Sequence, residues 1–163
     1  MSLFARTTLL TASLAVAAGF AGLHRTAGAS PAPAVRVAAV SAPENKYNEV
    51  CASCHQADGK GLENAIPPLA GAELLLGRPV VPIAIVLHGL QGEVTVKGKK
   101  YDGAMMAWGT VLNDEDLAAT LTYARSQWGN RATPITAAQV RAVRRKLAKR
   151  DTPFTAAELR TLK

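Results

Sequence analysis

Two thiols and an imidazole stand together at Cys51-Ala52-Ser53-Cys54-His55. A cysteine sulfur can act as a nucleophile, as half of a redox pair or as a metal ligand, so the spacing must choose among these chemistries. The pattern C-x-x-C-H is the attachment site of a c-type haem. Its two sulfurs add across the two haem vinyl groups as thioethers, and the adjoining imidazole falls under the iron as the proximal ligand. A thioredoxin-like dithiol is the first rival, but it needs no histidine after the second cysteine and expects a βαβ context. A zinc site is the second, and it needs more Cys or His ligands nearby. The chain has only two cysteines, and its other histidines, His24 and His88, are isolated. Cys51 and Cys54 are therefore read as covalent anchors and His55 as an iron ligand, with one motif implying one haem c.

A six-coordinate electron carrier needs a distal ligand as well, usually Met or His. The chain around the motif offers Met105, Met106 and His88. A methionine pair can also be plain core filler. His88 follows an apolar run and precedes Gly89, which suits a helix-end histidine favoured by the C-terminal dipole. Asp114, Glu115 and Asp116 resemble a catalytic carboxylate cluster only superficially, because they occupy a helix start where the dipole favours acids. No acid–base constellation and no substrate pocket are visible, so the expectation is a protein that is not an enzyme.

The elements that must position these groups read as helices joined by long loops. Residues 44–51 form a first helix leading into the haem motif, and the Gly- and Pro-rich stretch 56–71 is loop. Residues 72–76 make one or two turns stopped by Gly77. Residues 81–90 read as an apolar helix, with Pro82 tolerated in its first turn. Residues 94–96 and 99–101 flank Lys97-Gly98 as a small hairpin. Residues 113–127 are the clearest helix: Asn113 or Asp114 caps it, acids fill its first turn, and Leu117, Leu121 and Ala124 share a face. All three Phe lie outside residues 43–130, so this segment would have a thin core that a buried haem fills.

Export is expected, since haem is joined to C-x-x-C-H outside the cytoplasm. Arg6 supplies a positive start, residues 7–23 are apolar or small without charge, and Ala27-Gly28-Ala29 is a small-x-small cleavage site. Residues 1–29 are read as a signal peptide cleaved before Ser30. The rival, an uncleaved anchor, suffers from a run of about 17 residues rich in Ala, Gly and Thr. Residues 30–42 are a flexible lead-in and residues 43–130 the haem domain.

Residues 131–163 form a distinct basic tail. The net charge of +7 belongs to it, because residues 43–130 hold seven basic and ten acidic side chains whereas the tail holds nine and two. Thr136-Ala137-Ala138-Gln139 and Thr155-Ala156-Ala157-Glu158 are capping boxes and predict helices over 137–149 and 156–162. Val140, Val143 and Leu147 make a narrow apolar stripe beside a dense cationic surface. The stripe packs the tail on the domain, or the cations dock an acidic partner or an anionic membrane surface. Nucleic acid is not expected as a partner.

Three further segments carry a resemblance. Residues 101–109 (YDGAMMAWG), the closing helix ending Trp128-Gly129-Asn130, and Pro67-Pro68-Leu69 are similar to segments of small bacterial class I cytochromes c. The likeness spans residues 44–130. It implies an all-α fold, with class I helices around a covalent haem, long loops and a small β-hairpin, here followed by the two-helix tail. It implies that Met105 is the distal ligand, with Met106 where the family usually has Pro. It suggests that a backbone carbonyl of the Pro segment, Pro67 before Pro68, orients the second nitrogen of His55. Tyr101 and Trp108 are candidates to touch the haem, with ordinary core packing as the alternative, as for Tyr123 and Trp128. The expected function is a periplasmic one-electron carrier between redox partners. Its alternatives are a cytochrome c subunit of a periplasmic dehydrogenase or oxidase complex, and an open-site haem enzyme or gas sensor.

Overall fold

The computed structural model describes residues 42–163. The leader and nearly all of the lead-in, with the expected cleavage site, lie outside the described residues. Seven helices and one hairpin follow in the order α1 (Pro43–Val50), α2 (Ala52–His55), α3 (Glu73–Leu76), α4 (Val80–His88), β1 (Leu90–Val96), β2 (Lys99–Met105), α5 (Asp114–Ser126), α6 (Ala137–Lys146) and α7 (Ala156–Thr161). The described chain is thus mostly helical with one two-stranded antiparallel sheet.

Local chemistry accounts for most of these elements. Pro43 starts α1, where a missing N–H costs nothing. Asn113 caps α5 by accepting from the Asp116 amide at 2.7 Å, and three acids fill the first turn. Both tail helices carry the reciprocal capping box.

Several boundaries differ from the sequence reading. α6 stops at Lys146 rather than residue 149, because Leu147 leaves the helical conformation (φ −99°, ψ 10°), and α5 and α7 are a residue shorter at their ends. Two further differences bear on the site. The apolar helix ends at His88, not at residue 90, because Gly89 turns to φ +85° and a Cβ there would come within 2.6 Å of Met105 O. Leu90 instead opens β1, opposite Met105. The hairpin consequently runs well beyond residues 94–101. Its outer half contains Gly92, Asp102 and Gly103, poor strand formers, so tertiary pairing overrides propensity there.

The core forms where α1 packs across α5 and where α4 and α6 meet α5. Tyr47, Ile83, Ala84, Leu117 and Val140 are fully buried in it. The tail contributes to the same cluster: Ile135, Val143, Phe154 and Leu159 are also buried. Phe154 forms an isolated bridge with Leu90, so α7 is led in beside β1.

Candidate functional site

One helical turn presents the motif. The amides of Cys54 and His55 donate to Cys51 O at 3.2 and 2.9 Å, so the two thiols and the ring come from successive positions of a single turn. Cys51 is half-buried and Cys54 exposed, and the two are not joined in a disulfide. Burial, with Cys54 as the lesser cause, pushes the Cys51 thiol up to about 12. His55 Nδ1 lies 3.1 Å from Pro67 O. A carbonyl only accepts, so Nδ1 carries the proton and Nε2 keeps its lone pair. Burial lowers the His55 pKa and the Pro67 bond only partly counters this, which favours the neutral ring, the form able to ligate a metal.

Above this turn lies an apolar cleft, the kind of site in which cofactors are held. Cys51, His55, Pro67, Met105 and Trp108 all stand on its wall, together with apolar side chains from α1, α4 and α5 such as Val50, Ile85 and Leu117. Met106 is not on the wall and is 68% exposed. His88 is also absent from it and meets the Phe154 ring edge-on. Tyr101 is buried in the hairpin opposite Val94, outside the wall, which is the core-packing placement. Thr120 lies on the wall with a buried hydroxyl that has no partner among the described residues. Soft sulfur and imidazole donors around an apolar space, with one orphaned hydroxyl, fit a covalently held haem.

Several supporting contacts escaped sequence reasoning. The Tyr47 hydroxyl donates to Gln56 O at 2.8 Å, just past the motif, while its ring packs on Tyr123 and Trp128. Trp128 Nε1 donates to Ala57 O at 3.0 Å. Asn130 accepts from the Gly71 amide at 2.8 Å and donates to Leu69 O and Ala124 O, tying the Pro-segment loop to α5. Arg125 is 1% exposed and donates to the carbonyls of Leu75, Gly77 and Thr133 rather than to any carboxylate. A signal for Arg125 existed, since it lies four and eight residues beyond Leu121 and Leu117 on the buried face of α5.

Helices and a hairpin closed around such a cleft, entered by a C-x-x-C-H turn, define a small class I monohaem cytochrome c. Residues 38–123 match the family described as cytochrome C oxidase, cbb3-type, subunit III. Cytochrome c-552 from Thermus thermophilus is 42% identical over 106 residues, covering 59% of this chain and 79% of that protein. The cytochrome c subunit of a quinone alcohol dehydrogenase from Gluconacetobacter polyoxogenes is 31% identical over 101 residues, 60% of this chain but 21% of that subunit. The gluconate 2-dehydrogenase cytochrome c subunit of Pantoea cypripedii is 32% identical over 107 residues, 23% of its length. The chain belongs to this cytochrome c family. It carries one covalent c-type haem and works as a cytochrome c electron carrier with redox partners.

Proposed function

We propose that the chain is an exported one-electron shuttle whose haem is anchored by Cys51 and Cys54 and ligated by His55 and Met105. The observation that carries this reading is the shared wall: Cys51, His55 and Met105 line one apolar cleft and Met106 does not. When bound, the haem supplies a one-electron iron couple, and His/Met ligation raises its potential. The chain's own residues hold that group. Pro67 O fixes the His55 ring, Trp108, Val50 and Leu117 exclude water, and the unpartnered Thr120 hydroxyl stands on the same wall. The protein transfers electrons without acting on a substrate. Asp114 and Glu115 support this, since both are ion-paired to Arg141, and Asp114 also to Arg144. Export follows from the leader, and among the described residues no helix is long and apolar enough to cross a membrane. The exposed Arg145, Lys146 and Lys149 suit an acidic redox partner.

The similarity to dehydrogenase cytochrome subunits favours a second reading, a dedicated electron-accepting subunit. A stable co-purifying dehydrogenase or oxidase would select it over a free shuttle.

The test is the visible spectrum. The oxidised protein is expected to show the weak red charge-transfer band of His/Met cytochromes c. Met105→Ala should abolish it and open the reduced protein to carbon monoxide, and Met106→Ala should do neither. Loss of the band in Met106→Ala alone would refute the assignment, and high-spin bands in the unaltered protein would refute the carrier.

A further inference from the structure

Residues 106–112 join the end of β2 to the cap of α5, and so follow directly on Met105. Much of this segment is open to solvent: Met106 is 68% and Val111 62% exposed. Trp108 and Leu112 turn inward to the core, and the exposed residues around them open cheaply unless polar contacts hold them. On its inner side it lies on α4. The Trp108 amide donates to Val86 O at 2.8 Å, and Gly109 approaches so closely that a Cβ would stand 2.5 Å from Leu87 O.

On its outer side the segment meets the tail. Arg144 of α6 donates through Nη1 to Gly109 O, through Nη2 to Leu112 O at 2.8 Å and through Nε to Asp114 Oδ1 at 2.8 Å. One planar guanidinium thus spans two carbonyls of the segment and the first acid of the helix that follows. Asp114 is only 15% exposed and is shared with Arg141, so the carboxylate that orients Arg144 is itself fixed. Such charge-assisted bonds are about twice as strong as neutral ones. A lysine, a single point charge, cannot reproduce the fork.

A second tail contact reaches Met105 from the other direction. The Phe154 amide donates to Gly89 O at 3.0 Å, and Phe154 O accepts from the Gln91 amide at 2.8 Å. These bonds flank Leu90, the cross-strand partner of Met105. Phe154 is itself 2% exposed beneath the Arg150 guanidinium, 3.7 Å from the ring centroid.

We propose that the tail braces the distal-ligand segment, with Arg144 as a positioning residue that keeps Met105 on the cleft wall. The basic tail then acts on ligation at the haem and not only on encounters with partners. This inference rests on the assignment of Met105 as distal ligand.

The experiment compares Arg144→Gln and Arg144→Lys with the unaltered, haem-loaded full chain. Three quantities are read: the red charge-transfer band of the oxidised protein during a urea titration, carbon monoxide binding by the reduced protein, and amide exchange over residues 106–112. In Arg144→Gln the band should vanish at a urea concentration where the far-UV helical signal is intact. Carbon monoxide binding and amide exchange should each rise roughly tenfold, as expected when a charge-assisted hydrogen bond is lost. Arg144→Lys should fall between the two. Band, gas binding and exchange all matching the unaltered protein would overturn the proposal. So would simultaneous loss of band and helical signal in both variants, which would make Arg144 a purely structural residue. Met105→Ala separates the two layers of argument: if it keeps the band, the ligand assignment fails rather than the brace.

Discussion

Replacing Phe154 with Ala asks whether residues 131–163 are part of the folded domain or an appendage to it. The ring is 2% exposed, lies edge-on to His88 with centroids 6.1 Å apart, and carries Arg150 on its face. Truncation leaves the backbone bonds to Gly89 and Gln91 possible and removes only the ring. The expected cost is that of emptying a buried aromatic site, about 3–5 kcal/mol. Losing the cation–π contact adds roughly 0.5–1 kcal/mol. Arg150 is not stranded by the change, because it also donates to Thr152 O and Pro153 O and pairs with Glu158 at 2.9 Å. A net loss of about 4 kcal/mol is a large share of the roughly 5–15 kcal/mol that holds a domain together. It should lower Tm by roughly 12–20 °C at about 3–5 °C per kcal/mol for a domain of this size. Urea unfolding of the haem-loaded protein, followed by far-UV circular dichroism, measures it. Lys149→Gln is the control, an exposed change expected to stay within about 0.5 kcal/mol. A loss below about 1 kcal/mol for Phe154→Ala would show that the tail peels away without cost, and the packing argument would fail with it.

Asn130→Ala should cost about 3 kcal/mol in the same assay, because it strands the Gly71 amide and one bond each at Leu69 O and Ala124 O; amide exchange at Gly71 should accelerate, and protection equal to the unaltered protein would refute the role of the side chain as a latch. The Glu158 carboxyl is held below its ordinary pKa by the Thr155 amide first, then by Arg150 and the Thr155 hydroxyl. Its contribution is therefore complete above the ordinary glutamate value of about 4.3 and is lost as pH falls through the lower folded value. Acidification should weaken α7 before the rest of the domain, seen as faster exchange at the Leu159 amide, and Glu158→Gln should flatten that pH dependence.

The parts of the molecule legible in sequence were those with short-range causes. The haem turn needs only five consecutive residues, and its geometry is that of one helical turn. The capping boxes of α6 and α7 and the Asn113 cap of α5 act across three residues and stood where their side chains indicated. What could not be read depends on distant partners. Arg125 meets Leu75 O from 50 positions away, and Asn130 meets the Gly71 amide from 59. In sequence Leu90 continues the apolar helical run that begins at residue 81, whereas in the fold Met105 and Phe154 draw it into pairing. The stripe Val140, Val143 and Leu147 announced that α6 packs, but nothing local announced that Arg144 would turn inward with it.

That division within α6 changes what the net charge of the tail means. Nine basic residues against two acids, taken as a sum, describe a strong external field. In the fold, Arg144 and Arg141 face Asp114 and Glu115, and Arg150 faces Glu158. The field presented to a partner therefore comes from fewer cations, among them the exposed Arg145, Lys146 and Lys149. The two sets obey different physics. Attraction between exposed charges is screened over about 10 Å at roughly 0.1 M salt. The Arg144 contacts are short hydrogen bonds to carbonyls and to a largely covered carboxylate, which salt screens far less. Ionic strength thus acts on the outward cations and leaves the inward one in place. A single helix can then present cations to solvent on one face while the other holds Gly109, Leu112 and Asp114, with neither property limiting the other.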